Sequence, residues 1–197
     1  MIIPKSCVKW IKLQRTGYKN PIQGFKKQIE KEYLEMRKFL PITVKSILDI
    51  GCGIAGIDIL LSKHFRQPDL YLMDSSEISE KVIYGYDKAK TFYSSFYATE
   101  ALMKANYVKR YKLIDIKNNK YPVFKKIDLV ISLLSCGYHY SVREYLVYIN
   151  TILSENGALI LDVREWSDGI EITREVFPKI KIISHYNKSK RIIARRQ

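Results

Sequence analysis

The run Ser46-Ile-Leu-Asp-Ile-Gly-Cys-Gly-Ile-Ala-Gly56 most constrains the fold, because an apolar strand passes through an acid into a glycine turn that opens a helix. Gly51, Gly53 and Gly56 spell G-x-G-x-x-G. Their missing side chains allow a tight turn and let a nucleotide approach the backbone. Asp49 precedes the first glycine by two residues, and a second apolar run, Leu70-Tyr-Leu-Met, ends in Asp74. A carboxylate at the end of the second strand of a βαβ unit can hydrogen-bond a ribose. A third run, Tyr111-Lys-Leu-Ile, ends in Asp115. Three acids so placed point to a nucleotide-type site, against the plainer reading of glycines that only shape a turn and acids that cap helices or face solvent.

Around this centre the pattern alternates between strand and helix. Residues 1–22 read as a lead-in segment with Trp10 among bases and apolar residues, closed by a turn over Thr16-Gly-Tyr-Lys-Asn-Pro21. From Gly24, the positions Phe25, Ile29, Tyr33, Met36 and Leu40 recur at spacings of four and three, which predicts an amphipathic helix stopped by Pro41 and packed on a sheet. Strands are expected at 46–50, 70–74, 111–115, 128–134 and 158–163, with helices at 54–64, 92–106 and 142–153. Residues 75–90, with Val82-Ile-Tyr-Gly-Tyr between charged flanks, read as an insertion. Asp128-Leu-Val-Ile-Ser-Leu-Leu134 is apolar enough to be buried on both faces. Residues 180–194 read as two strands around an Asn187-Lys-Ser turn, hence a hairpin. The whole is expected to be one α/β domain over 1–197, with an N-terminal helical cover at 1–42 and the core at 43–197.

Cys7, Cys52 and Cys136 are too sparse for a disulfide framework and suit a reducing compartment. No run nears the ~20 apolar residues of a membrane span, and the opening residues lack an apolar leader, so a cytoplasmic protein without membrane contact is expected. The net charge of +14 lies at the two ends. Residues 1–40 hold ten Lys/Arg and three acids, residues 179–197 hold seven and none, and the middle is neutral. Such ends would attract phosphate, nucleic acid or another anionic acceptor. Alternatively, the lysines are solvated and keep sheet edges from pairing.

Through these motifs the sequence resembles the class I S-adenosylmethionine-dependent methyltransferases, whose first motif reads acid-x-G-x-G, whose second strand ends in an acid, and whose sheet closes in an antiparallel hairpin. The resemblance implies a Rossmann-like, seven-stranded, mostly parallel sheet with the last strand antiparallel beside the fifth. It also implies S-adenosyl-L-methionine as cofactor. By it, Asp49 and the backbone of Gly51, Cys52 and Gly53 would face the methionine part, Asp74 the ribose hydroxyls and Asp115 the adenine, with Ser75, Ile116 and Leu133 also among the cofactor-binding residues. Where the family often has a third alternate glycine, this chain has Ala55, followed by Gly56. A nicotinamide dinucleotide also fits the glycine spacing, with an acid roughly 20 residues on, but Asp49 and the closing hairpin argue against it.

In open α/β sheets ligands lie outside the carboxyl ends of the strands, which directs attention to Leu133-Leu-Ser-Cys-Gly-Tyr-His-Tyr140. Methyl transfer from a sulfonium needs the acceptor aligned with the methyl group, plus a base if the acceptor is a hydroxyl. His139 is the candidate base, and its alternative role is packing or ordering the loop. Tyr138 and Tyr140 are candidate walls of the acceptor pocket. Cys136 and His139 have a ligand-like spacing without a second pair, so no metal is expected. His64 and His185 fall near a helix end and a hairpin turn, where capping and solvation explain them.

Several signatures of the family are missing. The Asn/Asp-Pro-Pro-Tyr/Phe run of many base amino-group methyltransferases, the Pro-Cys of cytosine C5 enzymes and the second member of the Lys-Asp-Lys-Glu set of ribose 2′-O-methyltransferases are all absent. The expected activity is methyl transfer to an oxygen or nitrogen of a small, sugar-like or anionic acceptor. The alternatives are an RNA methyltransferase using the basic termini, or a non-catalytic nucleotide- or nucleic-acid-binding module.

Overall fold

The computed structural model describes residues 1–14, 19–76, 94–186 and 188–196. Its elements in chain order are α1 (Lys5–Gln14), α2 (Pro21–Arg37), β1 (Ser46–Ile50), α3 (Gly56–His64), β2 (Asp69–Asp74), α4 (Phe96–Ala105), β3 (Tyr111–Asp115), β4 (Ile127–Ser132), α5 (Arg143–Ile152), β5 (Leu153–Arg164), α6 (Gly169–Val176), β6 (Lys179–Tyr186) and β7 (Ser189–Arg195). The seven strands form one sheet in the order β3-β2-β1-β4-β5-β7-β6. The first five are parallel neighbours, and β7 runs antiparallel to both β5 and β6. This is the Rossmann-like sheet with a C-terminal antiparallel hairpin that the sequence predicts. The order reverses beside β1, so the ends of β1 and β4 form the crevice where open α/β sheets take ligands.

Strand alternation divides the interior into two layers. Ile47 of β1, Leu129 and Ile131 of β4, Ile160 of β5 and Ile193 of β7 face one way, into a core closed by Ile11 of α1, Phe25, Ile29 and Met36 of α2, Ile59 and Leu61 of α3 and Leu102 of α4. Leu48, Val130, Leu159, Leu161 and Ile192 face the other way, against Tyr145, Leu146 and Ile149 of α5 and Ile172 of α6. Fully burying such a side chain contributes roughly 1.5–3 kcal/mol, which is why the β4 run, apolar at nearly every position, occupies the middle of the sheet.

Several boundaries differ from the sequence expectation. The lead-in contains a helix, α1, which buries Cys7, Trp10 and Ile11 on one side. The second helix starts at Pro21 rather than Gly24, because the Asn20 side chain accepts from the Gln23 N–H and proline suits the first helical position. It ends at Arg37, short of Pro41. Helix α3 begins at Gly56, not residue 54, since Ala55 is left-handed (φ 58°). Asn156-Gly157, expected to end a helix before the fifth strand, lies inside β5, which starts at Leu153 and pairs with β4 through a register shift. Strand β4 stops at Ser132, and α6 had no counterpart in the sequence expectation. The expected insertion from residue 77 on, the first half of the Thr16–Pro21 turn, residues 92–93 and Asn187 lie outside the described residues, and the helix expected from residue 92 begins at Phe96, capped by the Ser95 side chain. None of the described helices is long and apolar enough to cross a membrane.

Candidate functional site

The glycine turn is built by hydrogen bonds that converge on its backbone. Gly51 and Cys52 donate their N–H groups to the Met73 carbonyl at 2.7 and 3.2 Å, fastening the turn to the end of β2. Gly53 donates to Asp74 Oδ2 at 2.7 Å, and Ser75 N–H donates to Asp74 Oδ1 at 2.6 Å. The Gly53 carbonyl accepts from the Ser94 and Thr99 hydroxyls at 2.9 and 3.1 Å. Gly51 has φ +77°, and a Cβ there would sit 2.1 Å from Ser135 Oγ. That contact brings the loop after β4 against the turn, and it makes glycine obligatory on two counts. Gly56 has another role: its missing Cβ admits Phe25 and Ile29, so the third glycine of the motif seats α2 on α3.

Asp74 retains some exposure, yet burial of its carboxyl pushes its pKa up to about 7 against the lowering pull of the Gly53 and Ser75 N–H groups, with Asp115 raising it slightly further. Each Asp74 oxygen accepts one N–H and keeps lone-pair capacity for another donor. Asp115 closes β3, pairs in register with Asp74, and accepts from the Lys117 N–H at 3.0 Å and from Asn118 at 3.4 Å. Ile116 donates its N–H to the Asp74 carbonyl. Ser75 is fully buried and its Oγ has no hydrogen-bond partner among the described residues. Burial raises the Cys52 thiol well above its usual value, with Asp74, Asp49 and Asp58 adding to the effect, so it stays neutral.

Asp49 is 2% exposed and lies beneath the turn, on the α2–α3 side of the sheet. Its carboxyl meets that of Asp58 from the first turn of α3, and a hydrogen bond between the two requires a retained proton. Asp49 Oδ1 and both Asp58 oxygens have no conventional donor in hydrogen-bonding geometry among the described residues, and a proton held between the two carboxyls would engage one oxygen of each. Burial drives Asp49 well above the carboxylate range, with Asp58, Asp74 and Glu32 contributing; burial also raises Asp58, to about 6. Asp58 was not among the sequence candidates. An acid in a first helical turn ordinarily signals only a favourable dipole.

Beyond β4, residues 135–140 wind into a compact loop. The Ser135 carbonyl accepts from the N–H groups of Tyr138, His139 and Tyr140, Gly137 donates to the Tyr140 carbonyl at 2.7 Å, and Arg164 of β5 donates its backbone N–H to Gly137. Leu134 (φ 55°) and Gly137 (φ 94°) are left-handed, which brings the chain back on itself. Leu133, just past the end of β4, is partly buried against the α1–α3 core. His139 stacks edge-on against Tyr138, and burial, then the Arg164 charge, lower its pKa, so the ring is neutral near pH 7. Tyr140 is raised to about 12, first by burial and then by Asp74, which places its hydroxyl within the electrostatic reach of the turn. The structure thus brings the turn, Asp74 and the Ser135–Tyr140 loop together at one end of the sheet. His64 lies apart from them, bonded through Nδ1 to the Tyr33 hydroxyl at 2.8 Å.

No family model matches the sequence, and no curated protein matches it. Solved structures do. Precorrin-6y C5,15-methyltransferase from Geobacter metallireducens GS-15 is 14% identical, with 83% of this chain and 86% of that chain covered, at a TM-score of 0.59. Magnesium protoporphyrin IX methyltransferase from Synechocystis PCC 6803, solved with bound SAM, is 16% identical over 97% of this chain and 91% of that chain, at 0.58. A 16S rRNA methyltransferase from T. thermophilus, solved with AdoMet and guanosine, is 12% identical at 0.59; 92% of this chain is covered but only 44% of that one. At such identities the likeness is one of architecture. The chain has the fold of the class I S-adenosylmethionine-dependent methyltransferases.

Proposed function

We propose that the protein is an S-adenosylmethionine-dependent methyltransferase acting on an oxygen or nitrogen of its acceptor. The observation that carries this reading is the left-handed Gly51–Gly53 turn clamped to Asp74 at the switch point of a β3-β2-β1-β4-β5-β7-β6 sheet. The residues present fit the cofactor: a Cβ-free cradle at Gly51, a carboxylate with spare lone pairs at Asp74, and an acid in register at Asp115. Asp74 would hold the ribose hydroxyls, the turn's backbone the methionine part, and Asp115 with Ile116 the adenine side. When bound, the cofactor supplies an electrophilic methyl group. The chain's own task is to align the acceptor, exclude water and, for a hydroxyl acceptor, remove a proton.

His139 fits that last task because its lowered pKa keeps a ring nitrogen free of its second proton near pH 7. Tyr138 and Tyr140 flank it in the same loop and would wall the acceptor. Asp49, buried beneath the turn, would act on the methionine part through the turn's shape.

Calorimetry tests the cofactor: S-adenosylmethionine should bind and NAD should bind far more weakly, and the reverse order would end the proposal. Asp74→Ala should cost on the order of 1.5–3 kcal/mol of cofactor affinity, and affinity in the parent should weaken as the pH falls through about 7, where Asp74 takes up a proton. His139→Ala should leave cofactor binding intact while lowering turnover about 10²-fold or more, read as release of S-adenosylhomocysteine. Loss of cofactor binding in that variant would assign the ring to packing instead.

A further inference from the structure

Next to the Ser135–Tyr140 loop, the end of β5 and the β6–β7 turn form a lip of two aromatic rings, each with a cation over it. Arg164 sets its guanidinium 4.4 Å from the Tyr138 ring centroid and donates Nε–H to the Tyr138 carbonyl at 3.1 Å, so it is committed to holding that ring. Two residues on, Trp166 is 73% exposed, with Lys188 Nζ 5.6 Å from its centroid. The Glu165 N–H bonds the Lys188 carbonyl at 2.9 Å, and Arg164 pairs with Ser189, so the hairpin turn is tied to this end of the sheet and not to the opposite one. Of the other charged groups nearby, Arg143 and Asp168 pair with each other at 3.4 Å, Glu165 faces solvent, and Lys190 and His185 lie on the hairpin beyond.

We infer that this lip is the acceptor platform and that it takes a single-stranded polynucleotide, one base stacking on Trp166 while Lys188 and Lys190 meet the flanking phosphates. The inference rests on the methyltransferase reading for the position of the reacting end of the sheet. An enclosed small molecule would be wrapped by apolar walls and would bury most of its surface, which an indole left open to water does not provide. A strand of nucleic acid needs the reverse: an exposed flat ring, since every base has a stacking face, and cations spaced along a backbone. The charge at this end is that of Lys188 and Lys190, since Arg191 is buried against Asp162 and Lys179, Lys181, Arg195 and Arg196 lie toward the far end of the hairpin. Tyr138, fixed by Arg164 and edge-on to His139, joins the platform to the loop that carries the candidate base.

Intrinsic fluorescence gives a direct test, since Trp10 is 8% exposed and Trp166 is the accessible indole. A single-stranded oligonucleotide of about 12 nucleotides, within the usual range of site sizes, should quench the parent saturably. Trp166→Phe should lose that quenching. With a dye-labelled oligonucleotide, Trp166→Ala should weaken binding about tenfold or more. Lys188→Gln should weaken it less and reduce the salt slope by about 0.7, the value for one single-strand phosphate. Ribo- and deoxyribo-oligomers of the same sequence separate RNA from DNA as the source of the base. Equal binding of duplex and single strand, or Trp166→Ala binding like the parent, would overturn the platform. Cofactor calorimetry on the same samples keeps the two readings apart. Oligonucleotide binding without S-adenosylmethionine binding would sink the enzyme and spare the surface, and the converse would sink the surface alone.

Discussion

Two buried acids on the same face of the sheet, both beneath α2, are neutralised in opposite ways. Asp162 near the end of β5 is fully buried and pairs with Arg191 of β7, its register partner, through Nε at 2.7 Å and Nη2 at 2.8 Å. Glu35 and Glu32 of α2 lie 3.6 and 4.0 Å from the same guanidinium. Asp49 near the end of β1 is answered by a second acid, Asp58, and by a proton. A guanidinium is charged at any ordinary pH. An acid matched by another acid must give up or take a proton as conditions change, and the pair titrates as a unit. The fixed pair locks the hairpin to the sheet; the proton-dependent pair lies directly under the glycine turn.

The fixed pair should be the more costly to break. Arg191→Met leaves Asp162 buried with no partner and should cost roughly 3–5 kcal/mol, read from the denaturant midpoint. The double variant Arg191→Met/Asp162→Leu should recover part of that loss, because it removes the desolvation cost of Asp162 but leaves the buried Glu32 of α2 without the Arg191 charge. A double variant no better than the single would mean that the hairpin depends on packing and not on charge matching, and the contrast with Asp49 would lose its basis.

The proton-dependent pair should show itself in pH. A carboxyl whose pKa is raised in the folded chain binds its proton more tightly there than when unfolded. Stability is therefore highest below the ordinary carboxylate range and declines as the pH rises toward the folded value. For Asp58, raised to about 6, the decline runs from about pH 4 to about pH 6 and amounts to on the order of 2–3 kcal/mol. In Asp58→Asn the amide donates to Asp49 without needing a proton, so the decline over that window should flatten. Urea titrations at pH 5 and pH 7 compare the two proteins, and identical slopes would show that Asp58 is not the titrating partner.

How much of this could be read from the sequence follows from what each residue depends on. The strands and the turn were legible because they rest on local patterns, namely apolar runs ending in acids, alternate glycines and a closing hairpin, while the place of the last strand beside the fifth came from the resemblance. Helix α1 was not, since Cys7, Trp10 and Ile11 make a stripe barely two turns long among bases that resemble a solvated segment. Helix α6 has only eight residues. Asn156-Gly157 has turn chemistry, and only pairing with β4 draws it into a strand. Arg191 sat unremarked in a basic tail, because its burial exists only through the β5–β7 register. Asp58 likewise becomes a buried acid only when α2 covers it. The turn residues named in advance lie where expected, while the partners that neutralise buried charge come from distant strands and helices.

Gly56→Ala tests the roof shared by both acids and should give the smallest effect. The new methyl would lie 2.5 Å from Phe25 Cζ and 3.0 Å from Ile29 Cδ1, so the first half of α2 has to move away from α3. Overpacking of this kind costs typically 1–3 kcal/mol, and alanine returns up to ~1 kcal/mol of helix propensity, leaving a net loss of about 1 kcal/mol. The more telling readout is selective. Asp58 belongs to the same first turn of α3 as Gly56, so lifting α2 admits water to the acid pair and should shrink the stability decline between about pH 4 and pH 6. Arg191 and Asp162, held across β5 and β7 by their own register, should respond to their paired substitutions as in the parent. A Gly56→Ala variant that loses stability but keeps the parent's pH slope would show that the acid pair is shielded by the turn itself, and that α2 covers it without controlling its proton.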